Sequence, residues 1–403
     1  MKKRYILLRM VTFVSILVLL GNVSAYAEEI RGVTGTTIKI GAILDQTGPI
    51  AGDITVPITT GFRNYTRDVN DKGGIFGRKI KLIVEDDRYS IPSCIAAFKK
   101  LLSKDEIFAL FGPANVGGAR ALFGQIEKLK VPNLTGAPDE AAVNPLKRHV
   151  FMPFNPYSDQ WGVVLDYIVN VLKTKKIDIT FVYYDAESGK VAFRSVQKYA
   201  KFFNFNLKAE VISLGSLDVT SQVMSIKRNN STHILIHHGA PGTVLLLRDL
   251  SKFGLNIPVY GTMMSTTEDI LGMGGNASKN YIGGAPFSSW YDDGKGVEEM
   301  RRTTLKYNPG TEMPYRNKFY TAGWLFATVL YEGLKRAGKE LNTGGLLIAL
   351  ESIRDMDTGE LSGPISFSPT NHQGVHHTKL YRANPESGKF IPITDWRKTP
   401  EIK

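Results

Sequence analysis

The sequence predicts an α/β protein made of two doubly wound, parallel-sheet lobes that are joined by a multi-strand hinge. Short apolar strand-like segments alternate with amphipathic helical segments, which is typical of parallel strands covered on both faces. This alternation stops at the extended, proline-containing segment 150–154 and then starts again. The chain of 403 residues is also too long for one hydrophobic core, so two domains are expected.

The first series alternates strands and helices between residues 37 and 135. Within its first helix, Phe62, Tyr65 and Val69 share one face, because they are three and four residues apart. The predicted segments are the strand 37–44, the helix 58–69, the strand 79–85, a helix opened by Ser90-Ile91-Pro92, the strand 107–111, the helix 119–129 and the strand 131–135.

The second series repeats the alternation and ends in longer helices and a strand-rich segment. It consists of the helix 159–172, the strand 179–184, the helix 189–203, the strand 207–214, the helix 220–228, the strand 233–238, the helix 241–253, the strand 259–261 and the helices 316–337 and 343–353. Residues 365–392 are predicted to form strands joined by turns such as 384–388.

This organisation predicts how the chain is divided between the lobes. We expect lobe I to contain residues 28–150 and 265–355, and lobe II to contain residues 151–264 and 356–403. Ligands of open parallel sheets bind beyond the carboxyl ends of the strands. The loops after the strands of both lobes are therefore expected to face one ligand cleft between the lobes.

The N-terminus has the three parts of a secretory signal peptide, predicted over residues 1–27. A basic start is followed by the apolar run 11–20 and by the cleavage pattern Ala25-Tyr26-Ala27. The run is too short to span a membrane comfortably, and no cysteine lies nearby to carry a lipid anchor. We therefore expect a secreted, periplasmic protein that does not itself span the membrane. The one cysteine, Cys94, excludes an intramolecular disulfide and is predicted to be a core residue.

The charge pattern argues against nucleic acid as a partner. Beyond the predicted signal peptide, the chain has 46 basic and 38 acidic residues, a net charge of +8. These charges are scattered, and no basic run is interleaved with aromatic residues as in single-strand binders. A solvated, mildly basic surface is the better interpretation.

The sequence carries no convincing catalytic or cofactor motif. It lacks a G-x-S-x-G elbow, an H-E-x-x-H helix, a C-x-x-C pair and a Walker-type loop, so no cofactor is expected. The pairs His237-His238 and His376-His377 are poor metal sites, because adjacent strand residues point to opposite faces. His238 could still face the cleft and contact a ligand. For Asp86-Asp87, a solvated or capping pair is favoured over a cation site.

The corner between the first helix and the second strand carries a specific motif. Residues 70–80 read Asn-Asp-Lys-Gly-Gly-Ile-Phe-Gly-Arg-Lys-Ile and are followed by Asp86-Asp87. Glycines supply the positive φ angles that a helix stop and a tight turn need. The motif resembles the first helix–strand corner of the leucine/isoleucine/valine-binding family, the type I periplasmic binding proteins of ABC importers. Further matching segments are 32–41, 47–52, 111–113, 156–157, 188–190 and 364–370, so the resemblance spans residues 32–396.

The resemblance implies a hinged, two-lobed, monomeric protein that closes on a small molecule and docks on a membrane permease. Family members that bind amino acids hold the ligand carboxylate in the loop after the third strand. Here that loop contains Asn115, Val116 and Gly117 and lacks the usual hydroxyls, although backbone N–H groups at a helix start remain. Alternatively, its glycines merely shape the loop. Pro138 and Asp139 are also expected to contact the ligand.

The resemblance also implies a departure at the ammonium subsite. Where relatives carry an acid, this chain has Met263 and Met264, one of which could instead be core. Burial of an unpaired ammonium is costly, so a zwitterionic amino acid is disfavoured unless Asp139, Glu187 or Glu268 reaches the ligand.

The remaining contacts implied by the resemblance are Tyr157, an expected ligand-contact aromatic, Glu187, and Ser188, which stands where an aromatic is usual. The sequence therefore favours a carboxylate or amide ligand with an apolar or aromatic body. Two alternatives stay open: a ligand-sensing component for a membrane receptor, and a secreted α/β hydrolase, which the missing nucleophile elbow disfavours.

Overall fold

The structure, a computed structural model, describes residues 30–309 and 317–401. Its first sheet has five strands in the order β2-β1-β3-β4-β5, and all neighbouring strands are parallel. These strands are β1 (Thr37–Leu44), β2 (Lys79–Asp86), β3 (Ala109–Phe111), β4 (Asn133–Leu134) and β5 (Val150–Phe151). The helices between them are α1 (Val56–Asp71), α2 (Ile91–Ser103) and α3 (Val116–Lys128), and a π-helical turn (Ala51–Thr55) precedes α1.

The second sheet has eight strands, parallel from β7 to β10 and antiparallel beyond. They are β6 (Asp178–Tyr183), β7 (Asn206–Val211), β8 (His233–His237), β9 (Val259–Gly261), β10 (Tyr281–Ala285), β11 (His377–Asn384), β12 (Lys389–Pro392) and β13 (Arg397–Lys398). The helices packed with this sheet are α4 (Tyr157–Asp166, continued by a π-helical turn, Tyr167–Val171), α5 (Glu187–Phe203), α6 (Thr220–Arg228), α7 (Ala240–Lys252) and α8 (Asp269–Gly274).

Three later helices return to the first lobe: α9 (Lys295–Tyr307), α10 (Lys318–Ala337) and α11 (Thr343–Glu351). Helix α10 packs very closely on α1. A Cβ atom at Gly323 would lie 1.9 Å from the carbonyl oxygen of Ile58, and one at Gly61 would lie 2.1 Å from that of Tyr320. The two glycines therefore permit a backbone approach that any side chain would block.

Three chain segments connect the lobes, as a multi-strand hinge requires. The chain leaves the first sheet after β5, returns after β10 and crosses again before β11. The first and third crossings are bonded to each other, because Met152 N donates to His372 O at 2.9 Å and Gly374 N donates to Met152 O at 2.7 Å. The predicted fold class, with two doubly wound lobes, is confirmed.

The expected lobe division is wrong at helix α8 and at strand β10. Helix α8 lies within residues 265–355, which were expected in lobe I, but it packs on α7 of the second lobe. Residues 281–285 were expected in lobe I, but β10 pairs with β9 and β11 in the second sheet. Its two glycines weaken the strand signal, yet a Cβ at Gly283 would lie 2.1 Å from Thr266 Oγ1. Close packing therefore favours glycine at this position, and no strand was predicted here from the sequence. Helix α9, a mostly polar helix, was also missed.

The glycine corner after α1 is confirmed as a helix stop followed by a turn. Gly73, Gly74 and Gly77 have φ angles of +105°, +79° and +81°. A Cβ at Gly74 would lie 2.0 Å from the carbonyl oxygen of Arg78. Cys94 is fully buried, as predicted.

No helix in the described ranges is long and apolar enough to cross a membrane. The predicted signal peptide and residue 316 of the predicted helix 316–337 lie outside the described residues.

Candidate functional site

A cavity lies between the lobes, where loops that follow β2, β3, β4, β6 and β9 meet α1 and α10. Among the described residues, those that line it include no acidic or basic side chain. They are Ile50, Ile54, Ile58, Tyr89, Ala114, Gly136, Pro138, Tyr157, Tyr184, Ser188, Met263, Met264, Phe319 and Phe326. The space open to the centre of a water-sized sphere is only about 20 Å³, little more than one water needs. The two lobes are therefore closed on each other around an apolar chamber.

Two tyrosine hydroxyls meet across the chamber. Tyr89 of the first lobe and Tyr184 of the second lobe form a hydrogen bond of 2.8 Å. Burial raises the pKa of both phenols, so both stay protonated. Each hydroxyl can thus donate as well as accept.

A second polar cluster forms the lobe II wall. Ser188 Oγ lies 2.9 Å from His237 Nε2 and 3.4 Å from the Tyr157 hydroxyl. The rings of Tyr157 and His237 meet edge to face, with centroids 4.4 Å apart. Burial lowers the pKa of His237 to about 3, so the ring is neutral at physiological pH. The cluster therefore supplies neutral hydrogen-bonding groups.

The juxtaposition of a serine and a histidine also bears on the hydrolase alternative. A catalytic base needs a pKa near the working pH and a third group that orients it. His237 has a depressed pKa, and its Nδ1 has no hydrogen-bond partner within the described ranges. Ser188 and His237 are therefore poorly suited to nucleophilic catalysis.

The two methionines line the chamber and are held by lobe II side chains. Gln160 donates from Nε2 to Met263 Sδ at 3.2 Å and accepts from Met263 N at 3.1 Å. The Tyr157 hydroxyl lies 3.8 Å from Met264 Sδ. Both thioethers thus present a polarisable surface where relatives are expected to carry an acid.

The acids that could have served an ammonium group are engaged elsewhere. Arg120 on α3 donates to Asp139 at 2.5 and 3.1 Å and, across the cleft, to Glu187 at 2.7 Å. Glu187 also accepts from Arg194 at 2.9 Å. Neither Asp139 nor Glu187 lines the chamber, which departs from their expected role as ligand contacts.

Glu268 is likewise unavailable to a ligand in the chamber. It is buried, accepts from Lys318 N at 2.8 Å and is bonded to the Ser289 hydroxyl. Each of the three candidate acids therefore already has a partner within the protein.

The predicted carboxylate loop lies beside the chamber rather than in its wall. Asn115 caps α3 by accepting from Gly118 N at 3.2 Å, and of the loop only Ala114 lines the chamber. Val116 is buried in the core, and a Cβ at Gly117 would lie 3.0 Å from Ile91 Cδ1. The structure thus favours a packing role for these residues.

His238 lies beneath the chamber. Its ring packs edge to face against Tyr184, with centroids 5.4 Å apart, and burial lowers its pKa to about 4. A Cβ at Gly242 would lie 2.3 Å from His238 Nδ1, so the ring is held against α7. His238 was predicted to contact the ligand, but in the structure it supports Tyr184, which lines the chamber.

The acidic corner of lobe I orders the chain beside the chamber. Carboxylate oxygens of Asp45, Asp86 and Asp87 lie within 4.8 Å of one another. Asp45 accepts from Ile50 N at 3.1 Å, Asp86 from Arg88 N at 2.9 Å and Asp87 from Tyr89 N at 3.1 Å. These bonds fit the capping interpretation of Asp86-Asp87 and place Ile50 and Tyr89 in the chamber wall.

A further contact closes the cleft at α7. Asp53, in the turn before α1, accepts a hydrogen bond from Ala240 N at 2.8 Å. A carboxylate suits the positive end of a helix dipole. Burial nevertheless raises the pKa of Asp53 to about 6, helped by the nearby Asp269 and Asp45.

Sequence reasoning missed several wall residues, although a signal for some was present. Ile50, Ile54 and Ile58 recur every four residues, as one face of a helical segment would. Tyr184 directly follows β6, at a strand end where ligands bind. Tyr89, Phe319 and Phe326 had no comparable signal, because only the tertiary fold brings them to the cleft.

Comparison with known proteins places the chain in a family. The profile of the family described as periplasmic binding protein matches residues 37–389. The Leu/Ile/Val-binding protein BraC3 of Rhizobium johnstonii is 23% identical over 363 residues, which cover 88% of this chain and 93% of that protein. The resemblance expected from the sequence is thus confirmed.

Solved structures show the same fold. A branched-chain amino acid ABC transporter protein from Thermus thermophilus with bound valine has a TM-score of 0.83 at 19% identity, over 91% of this chain and 97% of that one. A fatty acid ABC transporter substrate-binding protein from Thermomonospora curvata has a TM-score of 0.81 at 20% identity, over 92% and 95%. With its two hinged lobes and interlobe chamber, the chain belongs to the periplasmic binding protein family.

Proposed function

We propose that this protein captures a small organic ligand outside the cytoplasm by lobe closure and delivers it to the permease of an ABC importer. The ligand has a carboxylate or amide head and an apolar or aromatic body. The observation that carries the proposal is the chamber wall, whose described residues offer hydroxyls and apolar surface but no charged side chain.

The lack of a free acid argues against an amino acid. An ammonium group in this chamber would be buried without a carboxylate partner, which is costly. Asp139 and Glu187 are bonded to Arg120, and Glu268 is bonded to Ser289 and to a backbone N–H. Recruiting any of them would break bonds that already stabilise the protein.

The wall suits the two parts of the proposed ligand. Isoleucine, methionine and phenylalanine side chains surround its body, and thioethers pack well against aromatic rings. The hydroxyls of Tyr89, Tyr184, Tyr157 and Ser188 can donate to its head. The related fold of a protein named for fatty acid transport is consistent with such ligands.

Entry requires the lobes to separate, because the closed chamber has room for little more than water. Three crossing segments connect the lobes, and a few residues in such segments can absorb a hinge motion. We infer that the monomer opens at the hinge, admits the ligand and closes again. The closed surface then docks on the permease, and the predicted signal peptide would direct the chain to the periplasm.

Matched pairs of ligands test the proposal. The purified mature protein is screened by thermal shift with 4-methylpentanoate against leucine, and with 3-phenylpropanoate against phenylalanine. Each pair differs only by the ammonium group. A ligand that binds only the native state raises the midpoint according to RT ln(1 + [L]/Kd). We expect the acids to raise the midpoint and the amino acids to leave it unchanged.

The result distinguishes a ligand without an ammonium group from an amino acid. A larger shift with leucine than with 4-methylpentanoate would show that the chamber accommodates an ammonium group, and the proposed ligand class would be wrong. Amides of the two acids complete the panel, since an amide shares the head shape without the charge.

A further inference from the structure

The hydrogen bond between Tyr89 and Tyr184 is a polar contact between the lobes in the wall of the chamber. It joins the two lobes at 2.8 Å, and both residues line the chamber. Tyr184 is fully buried. Isoleucine, methionine and phenylalanine side chains form most of the surrounding wall. The pair therefore sits where the head of an enclosed ligand would need its hydrogen bonds.

The backbone at Tyr89 is unusual in a way that serves this contact. Arg88 and Tyr89 both have left-handed φ angles, +48° and +55°, although neither is glycine. Such angles are uncommon and unfavourable for residues with bulky side chains, and they cluster at functional sites. Two successive left-handed residues turn the chain sharply after β2.

The acidic corner holds this turn in place. Asp86 Oδ1 accepts from Arg88 N at 2.9 Å, and Asp87 Oδ1 accepts from Tyr89 N at 3.1 Å. Asp86 also accepts from Gln46 N at 2.8 Å and from the Thr47 hydroxyl at 2.6 Å, which ties the turn to the loop after β1. Asp86 and Asp87 are thus positioning residues for Tyr89.

The paired hydroxyls have unused hydrogen-bonding capacity. In a bond between two phenols, one hydrogen is shared and the other stays free to donate. An oxygen acceptor inserted between the two rings could receive both hydrogens. A carboxylate suits this position because its oxygens only accept, and bonds to a charged group are stronger than neutral ones.

We propose that Tyr89 and Tyr184 form a gate whose mutual bond the ligand replaces. The carboxylate or amide oxygen of the ligand accepts from both hydroxyls and so bridges the lobes at the point where the tyrosines otherwise hold each other. This inference rests on the proposed function, and it names the two residues that determine specificity for an acceptor head.

The first test uses the ligand-free protein. Tyr89→Phe and Tyr184→Phe each remove the cross-lobe bond while keeping the ring. We expect faster hydrogen exchange in segments 86–90 and 184–188 and a larger radius of gyration in solution. The double variant should match either single one, since each alone removes the shared bond. Wild-type exchange and radius in all three variants would overturn the gate.

A neighbouring tyrosine provides the control. Tyr183 is the last residue of β6 and directly precedes Tyr184. It does not line the chamber and stacks on Phe193 with centroids 5.4 Å apart. Adjacent strand residues point to opposite faces. Tyr183→Phe should therefore leave exchange, radius and ligand binding at wild-type values. A response as large as that of Tyr184→Phe would mean that any lost phenol in this strand loosens the lobe.

The second test measures binding of 4-methylpentanoate and 3-phenylpropanoate by calorimetry. Each gate variant should bind these acids about tenfold more weakly, the loss expected for a hydrogen bond to a charged group. Binding of 4-methylpentanamide should fall less. Wild-type affinity in both gate variants would overturn the gate but leave the proposed function standing. Failure of the wild-type protein to bind any of the three would overturn the proposed function, and with it the ligand's place in the gate.

Discussion

At the residue scale, the carboxylate of Asp53 bonds the first lobe to α7 of the second lobe. Its carboxylate accepts from Ala240 N at 2.8 Å, and its pKa in the closed protein is about 6 instead of 3.8, chiefly through burial. When the lobes separate, the carboxylate meets water and its pKa should return toward 3.8. At a pH between these two pKa values, Asp53 takes up a proton when the lobes close. Acidification therefore favours closure.

We predict that ligand affinity rises as the pH falls from 7.5 to 5.5. With the two pKa values above, the gain from Asp53 is at most roughly fourfold. Asp53→Asn should remove the gain, because the amide keeps an acceptor for Ala240 N but does not titrate. Titration calorimetry at both pH values measures the effect. A variant as pH-dependent as the wild type would show that another group is responsible.

At this scale, the sequence predicted which residues lie near the cleft but not which way their side chains point. Pro138, Tyr157, Ser188, Met263 and Met264 were expected at the ligand and do line the chamber. Their positions follow from strand ends, which the apolar pattern marks. Asp139 and Glu187 were expected there too, but both are paired with Arg120. The pair with Asp139 forms within lobe I, and the pair with Glu187 depends on how the two lobes meet. No local sequence pattern encodes the distance between Arg120 and Glu187, and none encodes the left-handed turn at Tyr89.

At the element scale, the contact between α1 and α10 supports one wall of the chamber. Gly323 lies on α10 between Phe319 and Phe326, both wall residues, and faces Ile58 on α1. The helices can approach this closely because Gly323 on α10 and Gly61 on α1 have no side chain at the contact. The spacing of three wall residues on two helices therefore depends on this glycine contact.

We predict that Gly323→Ala lowers the free energy of unfolding by about 3 kcal/mol, since its Cβ would lie 1.9 Å from the carbonyl oxygen of Ile58. Gly124→Ala is the matched control, because beyond the chain neighbours and helix backbone of this α3 glycine no atom of the described residues lies within 4 Å of its Cβ position. Alanine there should be neutral or stabilising by about 0.5 to 1 kcal/mol. Urea unfolding distinguishes the two. Equal effects would mean that helix propensity, not packing, governs both sites.

The link between α3 and α5 is a second element-scale contact. Arg120 joins Asp139 in its own lobe to Glu187 in the other, with Glu187 about one-third exposed and Asp139 almost fully buried. Loss of Arg120 would leave a buried carboxylate without its partner, which destabilises the fold. Loss of Glu187 would remove only the ion pair between the lobes and would leave the pair between Arg120 and Asp139 in place.

We predict that Glu187→Gln weakens ligand binding by at most roughly fivefold, as expected for a partly exposed ion pair, with little change in thermal stability. The difference from wild type should shrink in high salt, because salt screens exposed pairs. Arg194→Gln removes the other partner of Glu187, which lies in the same helix, and should leave affinity unchanged. An unchanged affinity in Glu187→Gln would mean that this pair does not contribute to closure.

At the scale of the whole molecule, the alternation of apolar strands and amphipathic helices was enough to predict two lobes. The pattern is local and repeats along the chain, so a single sequence is enough to show it. It missed β10, whose Gly283 and Gly284 weaken the strand signal although the strand pairs with β9 and β11 in the second sheet. It also missed α9, where only a narrow stripe including Val297, Met300 and Thr304 is buried. Both errors fall where the chain returns between lobes, and there the alternation is interrupted.

The tightness of the chamber has a kinetic consequence. A ligand enclosed by these walls has no exit until the lobes part, so its escape is limited by the opening rate of the protein. Ligands of different chemistry that the closed lobes enclose to the same extent should then have similar residence times. Their affinities would differ mainly through how often an encounter with the open form ends in closure. Selection would thus take place on entry, and the rate of supply to a permease would be a property of the hinge.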